Sequence, residues 1–167
     1  MENMTFEAAI AYTETLRVQK DLEASQLKSE VEALVKTSNG ARGFFVSFLT
    51  GTWELADNPS PAIIQALQAE PIAIAELLVK NLAMSTAMAL THQRNGKTEQ
   101  AHDSELVAKR TAMLIKKVDL PEVRTISAQM LNSAISNDGE YADFFQKWGY
   151  DAEQKQAISN VLSCSNC

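Results

Sequence analysis

The sequence predicts an all-α fold: a compact bundle of about six to eight helices around one central apolar helix. Three observations predict it. Apolar residues recur at three- and four-residue spacing along most of the chain. No run of alternating β-branched residues occurs. Helix-start and helix-stop residues punctuate the chain at helical intervals, among them Thr5, Asn39-Gly40, Ser60-Pro61, Pro71 and Gly149.

Taken in order, Thr5 caps a first helix that the pattern carries to about Lys36. Phe6, Ile10 and Leu16 lie in its first half, and Ala24, Leu27, Val31 and Leu34 form a heptad-like seam in its second. Unbroken, that helix spans about 45–50 Å and overhangs a domain roughly 30 Å across, so its free apolar stripe predicts a partner. A break near Lys20-Asp21 removes the overhang. Asn39-Gly40 ends the helix, and Ala41 to Thr50 follows with Phe44, Phe45, Phe48 and Leu49 on one face before Gly51 stops it. Trp53 to Pro59 reads as a turn-rich loop. Ser60-Pro61 and Pro71 then open two further helices, each with proline at the first position.

Ile72 to about Gln93 is apolar nearly all round, which marks a central helix. Glu76 and Lys80 give it one wet edge, and Asn81, Ser85 and Thr86 are expected to meet other helices. After the Arg94 to Lys97 loop, a helix from about Thr98 to Lys117 turns Leu106, Val107, Leu114 and Val118 inward. Val123, Ile126, Met130 and Ala134 stripe the next, which Asn137-Asp138-Gly139 terminates. Tyr141, Phe144, Phe145 and Trp148 stand at helical spacing, and the whole stripe, Trp148 included, is expected to be buried. Asp151 and Gln154 resemble a capping box for the last helix.

The two aromatic segments echo each other. Ala41, Phe44, Phe45 and Phe48 match Tyr141, Phe144, Phe145 and Trp148, each pair 100 residues apart and preceded by a glycine turn. A weak internal duplication accounts for the match. So does the need of any short helix for large side chains to bury enough area.

At 167 residues the chain is long enough for one domain, expected over residues 1–163, with 164–167 a flexible C-terminal tail. Acidic residues outnumber basic ones by 21 to 15, and a net charge of −6 disfavours nucleic acid as a partner. The N-terminus lacks the basic stretch of a secretory signal, and the charge-free run Asn81 to Thr91 is about half of a bilayer span. A cytoplasmic location without membrane contact is the expectation.

No chemical signature stands out. Glu99 and His102 have the spacing of a di-iron carboxylate motif, but the required second motif is missing. Cys164 and Cys167 follow a helix instead of starting one and supply two of the four ligands of a structural zinc site. No metal, cofactor or catalytic residue is therefore expected. Arg42 is the best-placed cation, at the start of the aromatic helix, with a surface arginine lying over Phe45 or Trp53 as its plain reading. Arg42, Phe45, Trp53, Asn81, His92 and Arg94 are the candidate ligand- or partner-binding residues. The expected function is a helical protein-interaction or regulatory module that forms a homodimer or docks on another protein. The alternatives are a small-ligand sensor with its pocket between the central and aromatic helices, and an enzyme of unrecognised type using His92, Glu99 and His102.

Overall fold

The structure, a computed structural model, describes residues 4–19 and 21–165. Cys167 and the last residues of the expected tail lie outside them. Among the described residues there are ten α-helices and no strand. They are α1 (Phe6–Val18), α2 (Ala24–Val35), α3 (Ser38–Thr50), α4 (Glu54–Asp57), α5 (Pro61–Leu67), α6 (Pro71–Arg94), α7 (Thr98–Val118), α8 (Pro121–Ser136), α9 (Ala142–Trp148) and α10 (Ala152–Ser165). The all-α class is as predicted, but the count exceeds six to eight. The N-terminal stretch makes two helices instead of one, and the expected loop after Trp53 contains the single turn α4. The chain divides into two compact units, one ending at Leu77 and the other starting at Leu78.

In the first unit, the hydroxyl of Thr5 accepts a hydrogen bond from the Ala8 N–H at 3.2 Å and starts α1 as predicted. The helix stops at Val18 because a second start signal competes with it. Glu23 and Gln26 form a capping box, with the Gln26 side chain accepting from the Glu23 N–H at 3.3 Å. Both halves are used within the unit: α1 packs on α3, and α2 packs on α3 and α5. The expected overhang is thereby removed. Likewise Asn39-Gly40 does not end a helix. Thr37 caps α3, its Oγ1 accepting from the Gly40 N–H at 3.1 Å, so both residues lie in the first turn.

The α1–α3 seam is close because Gly43 faces it without a side chain. A Cβ there would stand 2.5 Å from the Ala9 Cβ and 2.8 Å from the Phe6 carbonyl oxygen. Across this seam α1 buries Ala9, Thr13 and Leu16. Phe44 stacks on Phe48 at 5.1 Å between ring centroids, and Phe48 meets Trp53 edge-on at 5.5 Å. At the edge of the seam Glu14 accepts from the Ser47 hydroxyl and pairs with Arg17 at 2.7 Å. These donors favour the ionised carboxylate and hold Glu14 below its ordinary pKa.

The α6 helix, of 24 residues, is the longest. Ile74, Ala75, Leu78, Val79, Leu82 and Ala83 are all fully buried, as its all-round apolar pattern predicts. By length and composition alone α6 could cross a membrane, and half of its most apolar window is buried inside the folded chain. Ser85 and Thr86 donate back to the carbonyls of Asn81 and Leu82, each at 2.7 Å, so their hydroxyls are satisfied within the helix, and Ser85 is buried.

In the second unit, Asp119 closes α7 in the left-handed region (φ 46°), Leu120 is extended, and Pro121 opens α8. Asn137 closes α8 in the same left-handed way (φ 57°). The buried hydroxyl of Ser133 accepts from the Tyr141 N–H at 3.0 Å, which fixes the chain's entry into α9. The α10 capping box is as predicted, with bonds of 2.9 and 3.0 Å between Asp151 and Gln154. Within this unit α10 packs on α7 and α8, and α9 on α8. The two aromatic segments fall in different units, and their burial matches only in part. Ala41, Phe45, Tyr141 and Phe145 are all buried, whereas Phe48 is fully buried and Trp148 is 47% exposed.

Candidate functional site

The six candidate residues are divided between the two units, Arg42, Phe45 and Trp53 in the first and Asn81, His92 and Arg94 in the second. In the first unit, Phe45 is buried against Phe44, and the stacked Phe44–Phe48 pair joins it to Trp53. Phe44, Phe45 and Phe48 are core, and Trp53 is half-buried at its edge. Arg42 is exposed on α3, and its guanidinium lies 5.2 Å from the centroid of Phe6, not over Phe45 or Trp53.

In the second unit, Asn81 lies 13 residues before Arg94 on one helix, about 20 Å along its axis, so the two cannot share a small ligand. Arg94 is committed elsewhere. It donates to Asp151 at 2.7 Å and also pairs with Glu153, joining the end of α6 to the start of α10. The guanidinium beside it holds Asp151 below the usual carboxylate range. Gln154 reinforces the joint by donating to the Ala87 carbonyl at 3.3 Å and to the Thr91 hydroxyl at 2.8 Å. His92, in the last turn of α6, has its Nδ1 buried without a hydrogen-bond partner. His102 is exposed. Among the described residues no group of three or more His, Cys, Asp or Glu is arranged to hold a metal ion.

Two features of the second unit were missed by sequence reasoning. The first is the exposure of Trp148. Tyr141, the first member of the stripe, is not helical (φ −109°, ψ 12°), so the helical stripe is shortened to Phe144, Phe145 and Trp148, and Trp148 is the last residue of α9. The second is a groove of about 480 Å³ where the end of α7, the start of α8 and the end of α10 meet. Ile115, Leu120 and Val123 form its buried walls, and Lys116 and Arg124 stand exposed on its lining. The thiol-bearing Cys164, on the last turn of α10, is exposed and lines the same groove. The proline at 121 signals the helix start there, but no local pattern announces that α10 closes a third side.

Fold and surface together define an all-α protein built as two helical units. The chain matches the family described as Uncharacterised conserved protein UCP020893 over residues 5–164, and it belongs to that family. No curated protein and no solved structure matches it significantly.

Proposed function

We propose that the chain acts by binding, as a helical interaction module that forms a homodimer through surface contributed by α9 and the end of α8. One observation carries this reading: Trp148 is 47% exposed at the end of a stripe in which Tyr141 and Phe145 are buried and Phe144 is half-buried. A tryptophan can remove roughly 150–250 Å² from water, and it is the side chain most enriched at the energetic centres of interfaces. Ile135, in the last turn of α8, is 78% exposed. The exposed positions of α9 also carry both signs of charge, Asp143 and Lys147, one helical turn apart. A surface that meets itself about a two-fold axis needs both signs, because each residue faces its counterpart's partner. A net charge of −6 supports a protein partner over nucleic acid, and the setting of this reading is the cytoplasm. The echo between α3 and α9 supports a diverged duplication in which the second copy has turned one core aromatic outward.

Light scattering on the full chain from micromolar to about 100 µM tests the reading. The expected result is a dimer that Trp148→Ala dissociates. Asp143→Lys alone should weaken it, and the charge exchange Asp143→Lys with Lys147→Asp should restore it. In a Trp53→Phe background, dilution should shift the emission of Trp148 to the red. A monomer across the whole range, or a dimer indifferent to Trp148→Ala, sinks the proposal.

A further inference from the structure

We infer that the groove between α7, α8 and α10 binds an amphipathic organic anion: a molecule with one carboxylate or sulfonate head and an apolar body. This goes beyond the association reading and stands without it. The volume, about 480 Å³, lies inside the roughly 300–1,000 Å³ of small-molecule sites. Ile115, Leu120 and Val123 are each less than a tenth exposed, so the walls offer an apolar body a surface to lie against.

The polar lining is what selects the class. Lys116 comes from α7 and Arg124 from α8, one on each side of the Asp119–Leu120 turn. Both are exposed, in a chain that is otherwise acidic. Arginine presents a planar fork that matches a carboxylate, and lysine adds a mobile point charge, so together they recognise one anionic head. Asp119 is the acid in this lining, which leaves it net positive. A neutral apolar molecule would fill the walls and leave both cations unanswered. A small inorganic anion would answer the cations and leave the walls wet.

The test uses the full chain with Cys167→Ala, so that Cys164 is the only thiol. Anilinonaphthalene sulfonate is titrated by fluorescence, and dodecanoate and dodecanol are compared as competitors. Saturable binding of one probe per chain is expected, displaced by dodecanoate and at least about tenfold less well by dodecanol. Saturating dodecanoate should slow alkylation of Cys164 by N-ethylmaleimide several-fold, because the thiol lines the groove. Lys116→Glu with Arg124→Glu, both surface changes that leave the fold intact, should weaken dodecanoate by about tenfold or more. The inference is overturned by an absence of saturable binding, by dodecanol competing as well as dodecanoate, or by an unchanged Cys164 rate. Undiminished affinity in the charge-reversed protein would also overturn it.

Discussion

Replacing Gly43 by alanine sets two effects of opposite sign against each other. At an open position in a helix, glycine to alanine stabilises by about 1 kcal/mol through backbone propensity. Here the new methyl would stand 2.5 Å from the Ala9 Cβ, 2.8 Å from the Phe6 oxygen and 3.0 Å from the Ile10 nitrogen. Carbon atoms in contact prefer about 3.5–4.0 Å, so α1 must retreat from α3 by about 1 Å, and a gap of that size forfeits a quarter to a half of the dispersion energy across it. Two of the three atoms are backbone and cannot rotate away. That puts the overpacking cost near the upper end of its usual range, about 3 kcal/mol. The net is about 2 kcal/mol of destabilisation, or a fall of roughly 4–8 °C in Tm for a chain of this length. Thermal unfolding followed by circular dichroism measures it. Ala9→Gly removes one of the three clashes, so the double variant should lose about 0.5–1 kcal/mol less than the sum of the single changes. An alanine variant that melts higher than the parent would show that propensity alone governs the site, and the tight seam would be refuted.

Three further outcomes follow from single groups. Burial raises the Tyr150 hydroxyl to about 12 from its ordinary 10, so the unfolded chain ionises first. The stability this gives is whole below pH 10 and is lost as pH rises toward 12; urea midpoints for parent and Tyr150→Phe should show that loss in the parent only. Glu14 is lowered by the Ser47 and Arg17 hydrogen bonds, so its contribution is present above its ordinary 4.5 and fades as pH falls through the folded value. Glu14→Gln should accordingly flatten the acid limb of the stability curve, and a limb of unchanged slope would show the bonds to be idle. Ser133→Ala removes the acceptor that the buried Tyr141 N–H uses and should cost about 1–3 kcal/mol by denaturant titration, whereas a loss below about 0.5 kcal/mol would mean that another acceptor takes over.

What the sequence made legible was local. Ser60-Pro61, Pro71 and Pro121 mark helix starts because proline fixes a helical φ and needs no donor, and the structure has helices opening at all three. Asp151 and Gln154 satisfy each other's backbone within four residues, so their cap is also readable. The break after Val18 was harder, because the Ala24 to Leu34 seam continues in good helical phase. Only the Glu23 and Gln26 cap interrupts it, and those two residues look like any polar helix surface. The surroundings of the candidate residues were hidden for a different reason. Arg94 finds its carboxylates 57 and 59 residues later, and the groove draws on three helices. Pairings at that separation follow from tertiary packing, which no periodicity encodes.

The seam that Gly43 permits has a consequence in time. During synthesis α1 leaves the ribosome before α3, and the surface that covers Ala9, Thr13 and Leu16 belongs to α3, whose last residue follows Val18 by 32 positions. At about 5–20 residues per second that is a wait of roughly 2–6 s, far longer than the sub-microsecond in which a helix of this length forms and frays. Throughout that interval the nascent chain shows an apolar stripe with nothing of its own to lay against it. Chaperones that survey emerging polypeptides would meet α1 uncovered, and slowing translation between Val18 and Thr50 would lengthen the encounter.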